Sequence, residues 1–107
     1  MMALTPQQVA ERCAEEMWAG DHASKGLNVT IEKIGPGSAT ISMPVRQDMV
    51  NGHGICHGGF IFALADTNFA YACNSFNRNA VAAGVDIIFV APGHLGDTLT
   101  AVGSARH

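Results

Sequence analysis

Positive charge is scarce in this chain. Six Lys and Arg among 107 residues stand against nine Asp and Glu, for a net charge of -3 and a pI near 5.9. The six are scattered rather than gathered into a stripe, so the electrostatic footprint of nucleic-acid binding is missing. Cysteine is sparse as well. Cys13, Cys56 and Cys73 are odd in number and lack framework spacing, which reads as reduced thiols, with Cys13 and Cys73 packed as small apolar residues. Met1 to Gln8 shows no basic cluster followed by an apolar core, so no secretion signal is visible. The longest apolar stretch, Gly59 to Cys73, is too short to span a bilayer and holds Asp66 and Asn68. These absences lead us to expect a cytoplasmic protein whose partners are small molecules or other subunits, not nucleic acid or membrane.

What the chain has in quantity is apolar surface. Hydrophobic residues make up 48% and charged ones 14%, which implies an ordered chain that buries much of itself, in part within an oligomer. The length suits one domain over 1–107, with a core that has little to spare.

Thr5-Pro6-Gln7-Gln8 reads as a helix start: Thr5 can cap, Pro6 suits the first helical position, and Gln8 sits where a capping-box partner belongs. Val9, Cys13 and Met17 then recur at helical spacing, and Gly20 stops the helix. Leu27–Glu32 and Ala39–Met43 alternate at period two around the turn signal Gly35-Pro36-Gly37-Ser38, which predicts an antiparallel hairpin. Pro44 ends the second strand or marks it as an edge. Residues 46–59 are irregular and glycine-rich, a flexible loop. From about Gly59 to Asn74 the chain is apolar nearly all round, which predicts a helix buried on most faces. Ala80–Ala91 reads as a strand buried on both faces, and Asp97–Gly103 as a fourth strand. The pattern is α+β: a long helix wrapped by an antiparallel sheet. So apolar a helix needs more cover than four strands provide, either from a partner subunit or from a missing piece of chain.

Asp66 is the sharpest signal. Between Asp48 and Arg78 it is the one formal charge, histidines aside. A carboxylate in an apolar helix costs several kcal/mol to desolvate unless paired. Sequestered, it would be a better general base than a surface aspartate; at a helix edge, with backbone donors or a cation to satisfy it, it would be structural. Asn51, His57 and Gly58-Gly59 lie in the loop feeding the same helix, where glycines let a substrate approach the backbone or merely permit a tight loop. The first N–H groups of a helix lack intrahelical partners and sit at the positive end of its dipole. They could therefore steady an oxyanion.

Gly58 and Asp66 are eight positions apart, about 12 Å along a helix, whereas a donor and an attacking group must each lie about 3 Å from the reacting centre. One chain does not easily supply both. Two antiparallel helices across a two-fold axis do, and an obligate dimer follows. His53, Cys56 and His57 are too crowded for a zinc site and lack a fourth ligand. A Cys56–His57 nucleophilic pair is equally poor, since neighbours in sequence rarely aim at one another. His57 is better read as a hydrogen-bonding residue that orients loop or substrate. Tyr71 and Asn74 read first as packing and capping.

Asn51-Gly52-His53-Gly54-Ile55-Cys56-His57-Gly58-Gly59, followed by Phe60, Leu64, Ala65, Asp66, Ala70 and Asn74, resembles the signature of hotdog thioesterases of the PaaI type. Asp86 to Pro92 and then Gly96-Asp97-Thr98-Leu99 are similar to that family's next strand pair. The resemblance runs from about Leu27 to Val102. It implies a hotdog fold and hydrolysis of a coenzyme A thioester, in the nearest relatives a hydroxylated phenylacetyl-CoA, with no cofactor or metal. It also implies that Asp66 is the catalytic carboxylate, as nucleophile or as base for water, and Gly58 the oxyanion donor. Asn51 and His57 would position thioester or water, with Gly59, Phe60, Phe69 and Asn74 in the substrate site and Phe62 among the pocket walls. Family members are homodimers or, often, homotetramers. Their chains usually continue for two more strands beyond the point matching His107, so the expectation is a C-terminally truncated hotdog domain. A hotdog dehydratase, testable with an enoyl-CoA, and a non-catalytic acyl-CoA-binding subunit are the competing readings.

Overall fold

The structure, a computed structural model of the single chain, describes residues 3–75, 84–89 and 93–106. Helix α1 spans Pro6–Gly20. Its start is the expected capping box: Gln8 N donates to Thr5 Oγ1 at 3.1 Å, and Thr5 N donates to Gln8 Oε1 at 2.8 Å. Ala10 and Ala14 face inward while Glu11, Glu15 and Glu16 stay exposed. A second, short helix, α2 (His22–Gly26), was not foreseen. Asp21 caps it by accepting from Ser24 N, and five residues are too few to show a period.

α2 displaces the first strand. Asn28 adopts a left-handed φ of 56°, so strand β1 runs over Thr30–Gly35 rather than Leu27–Glu32. The hairpin itself stands as expected: Pro36-Gly37 turns the chain, Gly37 at φ 72°, into β2 (Ser38–Pro44). Pro44 ends β2, which is an inner strand. After a single 3-10 turn at Gln47–Met49 and the glycine-rich loop comes α3 (Gly58–Asn74), then β3 (Gly84–Phe89) and β4 (Thr98–Arg106). The remainder of the expected Ala80–Ala91 strand, and the burial of its side chains, lie outside the described residues.

The four strands form one antiparallel sheet in the order β1-β2-β4-β3. β2 and β4 pair with Ile41 opposite Ala101 and Met43 opposite Leu99, so their buried side chains share one face, and α3 lies on that face. Leu64, Asn68, Tyr71 and Ala72 are the buried residues of α3. Burying Leu64 fully is worth about 1.5–3 kcal/mol. Among the described residues the helix is covered only on the side turned to the sheet and α1, which corrects the expectation of burial on most faces. One sheet can cover one side of a cylinder, and on the other side Phe62 is 71% and Phe69 42% exposed. Gln7 of α1 reaches the β1 edge, donating from Nε2 to Ile34 O at 2.7 Å. Among the described residues no helix is long and apolar enough to cross a membrane.

Candidate active site

The loop leading into α3 is less free than its glycine content suggests. Asn51 Oδ1 accepts from His53 N at 2.9 Å and Ile55 N at 3.2 Å, a side chain standing in for a strand partner. Asn51 N donates to Ile55 O, and Gly54 turns the chain at φ 75°. The loop is then stitched to the turn before β4: Cys56 N donates to Gly93 O at 2.6 Å, and Leu95 N to Gly54 O at 2.9 Å. A Cβ at Gly93 would meet Cys56 Cβ at 3.2 Å, a contact tight enough that Cys56 would have to give by a few tenths of an ångström. Cys56 is buried, and burial pushes its thiol pKa up. A thiol held protonated makes a poor nucleophile.

Gly58 and Gly59 are different. Neither has positive φ, and a Cβ at either would meet nothing within 4 Å. The chain's own fold thus has no steric need for glycine here, although glycine costs a helix roughly 0.5–1 kcal/mol relative to alanine. Neither N–H has a partner among the described residues, whereas Phe60 N and Ile61 N both donate to His57 O. Two unpaired donors at a helix N-terminus with open space in front can receive an anion or a polarised carbonyl. His57 is the residue before the first helical turn, extended at φ -60°, ψ 141°. Its backbone N–H is tied to Met49 O at 2.8 Å, and its side chain is exposed and makes no capping bond.

Asp66 is exposed, on the side of α3 turned away from the sheet. The described residues therefore do not sequester it, contrary to the expectation drawn from its apolar neighbours. Gly59, Phe62, Asp66 and Phe69 fall on one stripe at spacings of three and four, so the carboxylate stands between two exposed phenyl rings. Of the residues expected to act together, Asp66, Phe69, Phe62 and Gly59 share this stripe. Gly58 and His57 lie at the N-terminal end of α3, and Asn51 lies in the loop that leads to it, paired with Ile55. Phe60 does not join them: it is half-buried and packs on the core of Leu64, Met43 and Met49. Nor does Asn74, in the last turn of α3, where its Nδ2 donates back to Ala70 O at 2.8 Å.

Two polar features went unread in the sequence. Tyr71, buried at 1% exposure, donates its hydroxyl to Asp21 Oδ2 at 3.1 Å, and Ser24 Oγ donates to the same oxygen at 2.6 Å. Burial works against the ionised form of Asp21. The Ser24 side-chain and backbone donors, the Tyr71 hydroxyl and Lys25 outweigh it and hold the carboxyl below its ordinary 3.8. Burial, and then the Asp21 charge, push the Tyr71 pKa up. A tyrosine in an apolar helix was the available signal, since its hydroxyl needs a partner. The second feature is Asn68, fully buried beneath α3. Elsewhere, a cleft of about 440 Å³ between α1 and β1 is lined by Trp18, Val29 and Ile31 among others, and by none of the expected site residues.

A model of the thioesterase superfamily matches residues 53–107. The acyl-coenzyme A thioesterase PaaI of Escherichia coli K12 is 48% identical over 94 residues, covering 88% of this chain and 67% of that protein. A relative from Archaeoglobus fulgidus is 35% identical over 94 residues, covering 88% of this chain and 61% of that one. Among solved structures, the E. coli PaaI protein from the phenylacetic acid degradation operon superposes with a TM-score of 0.84 at 45% identity, over 96% of this chain and 75% of that one. A variant of the phenylacetic acid degradation protein PaaI from Thermus thermophilus gives 0.57 at 25% identity, over 81% of this chain and 100% of that one. The chain thus spans about two thirds of the E. coli relative's length and less of the A. fulgidus relative's.

Proposed function

The chain belongs to the thioesterase superfamily, with the hotdog fold and the enzyme class of its acyl-CoA thioesterase relatives, and from that premise we propose that it hydrolyses an aryl-acyl-CoA thioester at sites shared by two copies of the chain. Hydroxyphenylacetyl-CoA is the first substrate to try. One observation carries the reading: α3 ends in two unpaired amide donors that need no glycine for their own packing, and its free face carries Asp66 between Phe62 and Phe69.

Gly58 and Asp66 lie about 12 Å apart along α3, too far to meet one carbonyl carbon. A second copy, its α3 antiparallel against the first, brings the Asp66 of one chain to the Gly58 N–H of the other and covers the exposed phenylalanines. It also supplies the sequestration that a single chain does not. The thioester oxygen accepts from the Gly58 N–H as it becomes an oxyanion. Asp66 either takes a proton from the attacking water or attacks the carbonyl carbon itself. The C–S bond then breaks, and the thiolate takes up a proton to leave as free coenzyme A. After water attack the other product is the carboxylate itself, whereas after direct attack it is a mixed anhydride with Asp66 that a water then hydrolyses to the carboxylate. Oxygen-18 entering Asp66 in a single turnover marks direct attack. Asn51 shapes the loop that presents Gly58, while His57, its imidazole exposed beside the donors, is free to orient thioester or water. The phenyl rings suit an aryl group by offset or edge-to-face stacking. The working assembly is a dimer or a pair of dimers acting in the cytoplasm.

Mixing two inactive variants tests the shared site. Gly58→Pro removes the donor at a first helical position that tolerates proline, after a residue already extended as proline requires. Its expected turnover loss is about 10²–10³-fold. Asp66→Ala removes the carboxylate. Mixed and reassembled, the two restore about a quarter of wild-type activity, because half the dimers are hybrid and each hybrid holds one intact site. A mixture as inactive as its components excludes the shared site.

A further inference from the structure

Asn68 sits two residues from Asp66 on the opposite side of α3, fully buried against the sheet. Its Nδ2 donates to Ala39 O at 2.9 Å and to Ala101 O at 3.1 Å. Those carbonyls belong to neighbouring strands, β2 and β4. Its Oδ1 is buried and has no hydrogen-bond partner among the described residues. Around it the contact between helix and sheet is apolar and partly small, with Ala72 above and Ala39 and Ala101 below. Such contacts hold a helix on a sheet but do little to fix its rotation or its position along the axis. Two directional bonds to two strands fix both.

Stability alone is a weak reason for an asparagine here, since what its two Nδ2 bonds contribute is set against burial of the whole amide. A buried acceptor left unpaired costs free energy that a branched apolar side chain of similar outline would not. We propose that Asn68 is a positioning residue: by locking α3 to β2 and β4 it sets the angle and height at which Asp66 leaves the helix. The acid's aim at a thioester held by the second copy's amide donors then depends on a side chain that never touches substrate. The inference rests on the thioesterase reading above and deepens it. Misplacing a reacting group by about 1 Å can cost about 10²-fold in rate, so a small slip of α3 is enough.

The test uses the full chain with Asn68→Leu, which keeps the branched outline, and Asn68→Ala. Thermal midpoint, native mass, kcat and KM on hydroxyphenylacetyl-CoA are measured for each beside the wild type. For a folded Asn68→Leu of wild-type mass we expect a midpoint unchanged or higher, kcat lower by about 10–100-fold, and KM within about twofold. Holding stability while losing kcat is what a merely structural asparagine would not do. Wild-type kcat in either folded variant overturns the inference, as does a lowered midpoint with kcat intact. Failure of both variants to fold also overturns it, because Asn68 would then be holding the fold rather than aiming the acid. If the wild type hydrolyses no thioester, the underlying reading fails and takes this one with it. An active wild type with an equally active Asn68→Leu removes this inference alone.

Discussion

The two sides of α3 obey different rules. Toward the sheet, Leu64, Tyr71 and Ala72 are buried, and Tyr71 and Asn68 hydrogen-bond to named partners within the chain. Away from it, Gly58 and Gly59 are glycines without a steric reason, two phenyl rings are exposed, and Asp66 stands between them. Apart from Asn68, the inner side is explained by this chain alone. The outer side makes physical sense only against something else, and the contrast separates residues that hold the fold from residues that use it.

Asn68 apart, substitutions on the two sides should therefore fail in opposite ways. The largest effect belongs to the outer side: Asp66→Ala should lower turnover of an aryl-acyl-CoA by about 10²–10⁴-fold. Its thermal midpoint should hold or rise, because the variant no longer desolvates a carboxylate where the second copy covers it. A variant that keeps its activity, or unfolds, breaks the contrast. On the inner side, Leu64→Ala should cost about 2–5 kcal/mol of stability, read by denaturant unfolding, with the activity of the remaining folded fraction largely kept.

Smaller effects come from the Asp21 bracket. Asp21→Ala should cost about 1–2 kcal/mol through the lost α2 cap. Because the folded-state pKa of Asp21 is depressed, its ionised form stabilises the fold at pH values above the ordinary 3.8. That contribution disappears as the pH falls through the lower, folded-state value. Wild-type and variant stability should thus differ at neutral pH and converge in acid, and a pH-independent gap would assign the effect to capping geometry alone. Tyr71→Phe, which removes one hydroxyl donor, should be the mildest, at about 1 kcal/mol.

Much of the fold and the spacing of the candidate site were legible in local sequence, because their signals are local. Thr5 and Gln8 announce a capping box three residues wide, and Pro36-Gly37 announces a turn two residues wide. The stretch from Asn51 to Asp66 is short enough for a spacing to carry meaning. What escaped was whatever depends on distant partners. The sheet order puts β4 between β2 and β3, a pairing no local window contains. α2 is too short to show a period, and it pushed β1 three residues along. The apolar run of α3 says that the helix wants cover without saying what provides it, so Asp66 was expected buried and is exposed. Phe60 and Asn74 were grouped with the site by the family resemblance, and helical geometry turns Phe60 to the core and carries Asn74 to the far end. Asn68 was seen as a polar residue in an apolar run, but its two carbonyl partners lie about thirty residues away on either side.

The bond from Gln7 to Ile34 O gives α1 a task beyond packing. Among the described residues β1 pairs only with β2, and an unpaired strand margin is a template onto which further chains can add. With α1 laid along it and Gln7 occupying one of its carbonyls, part of that margin is taken. Removing the first helix would leave a sticky border, and the first sign should be concentration-dependent precipitation and fibre growth rather than a slower enzyme.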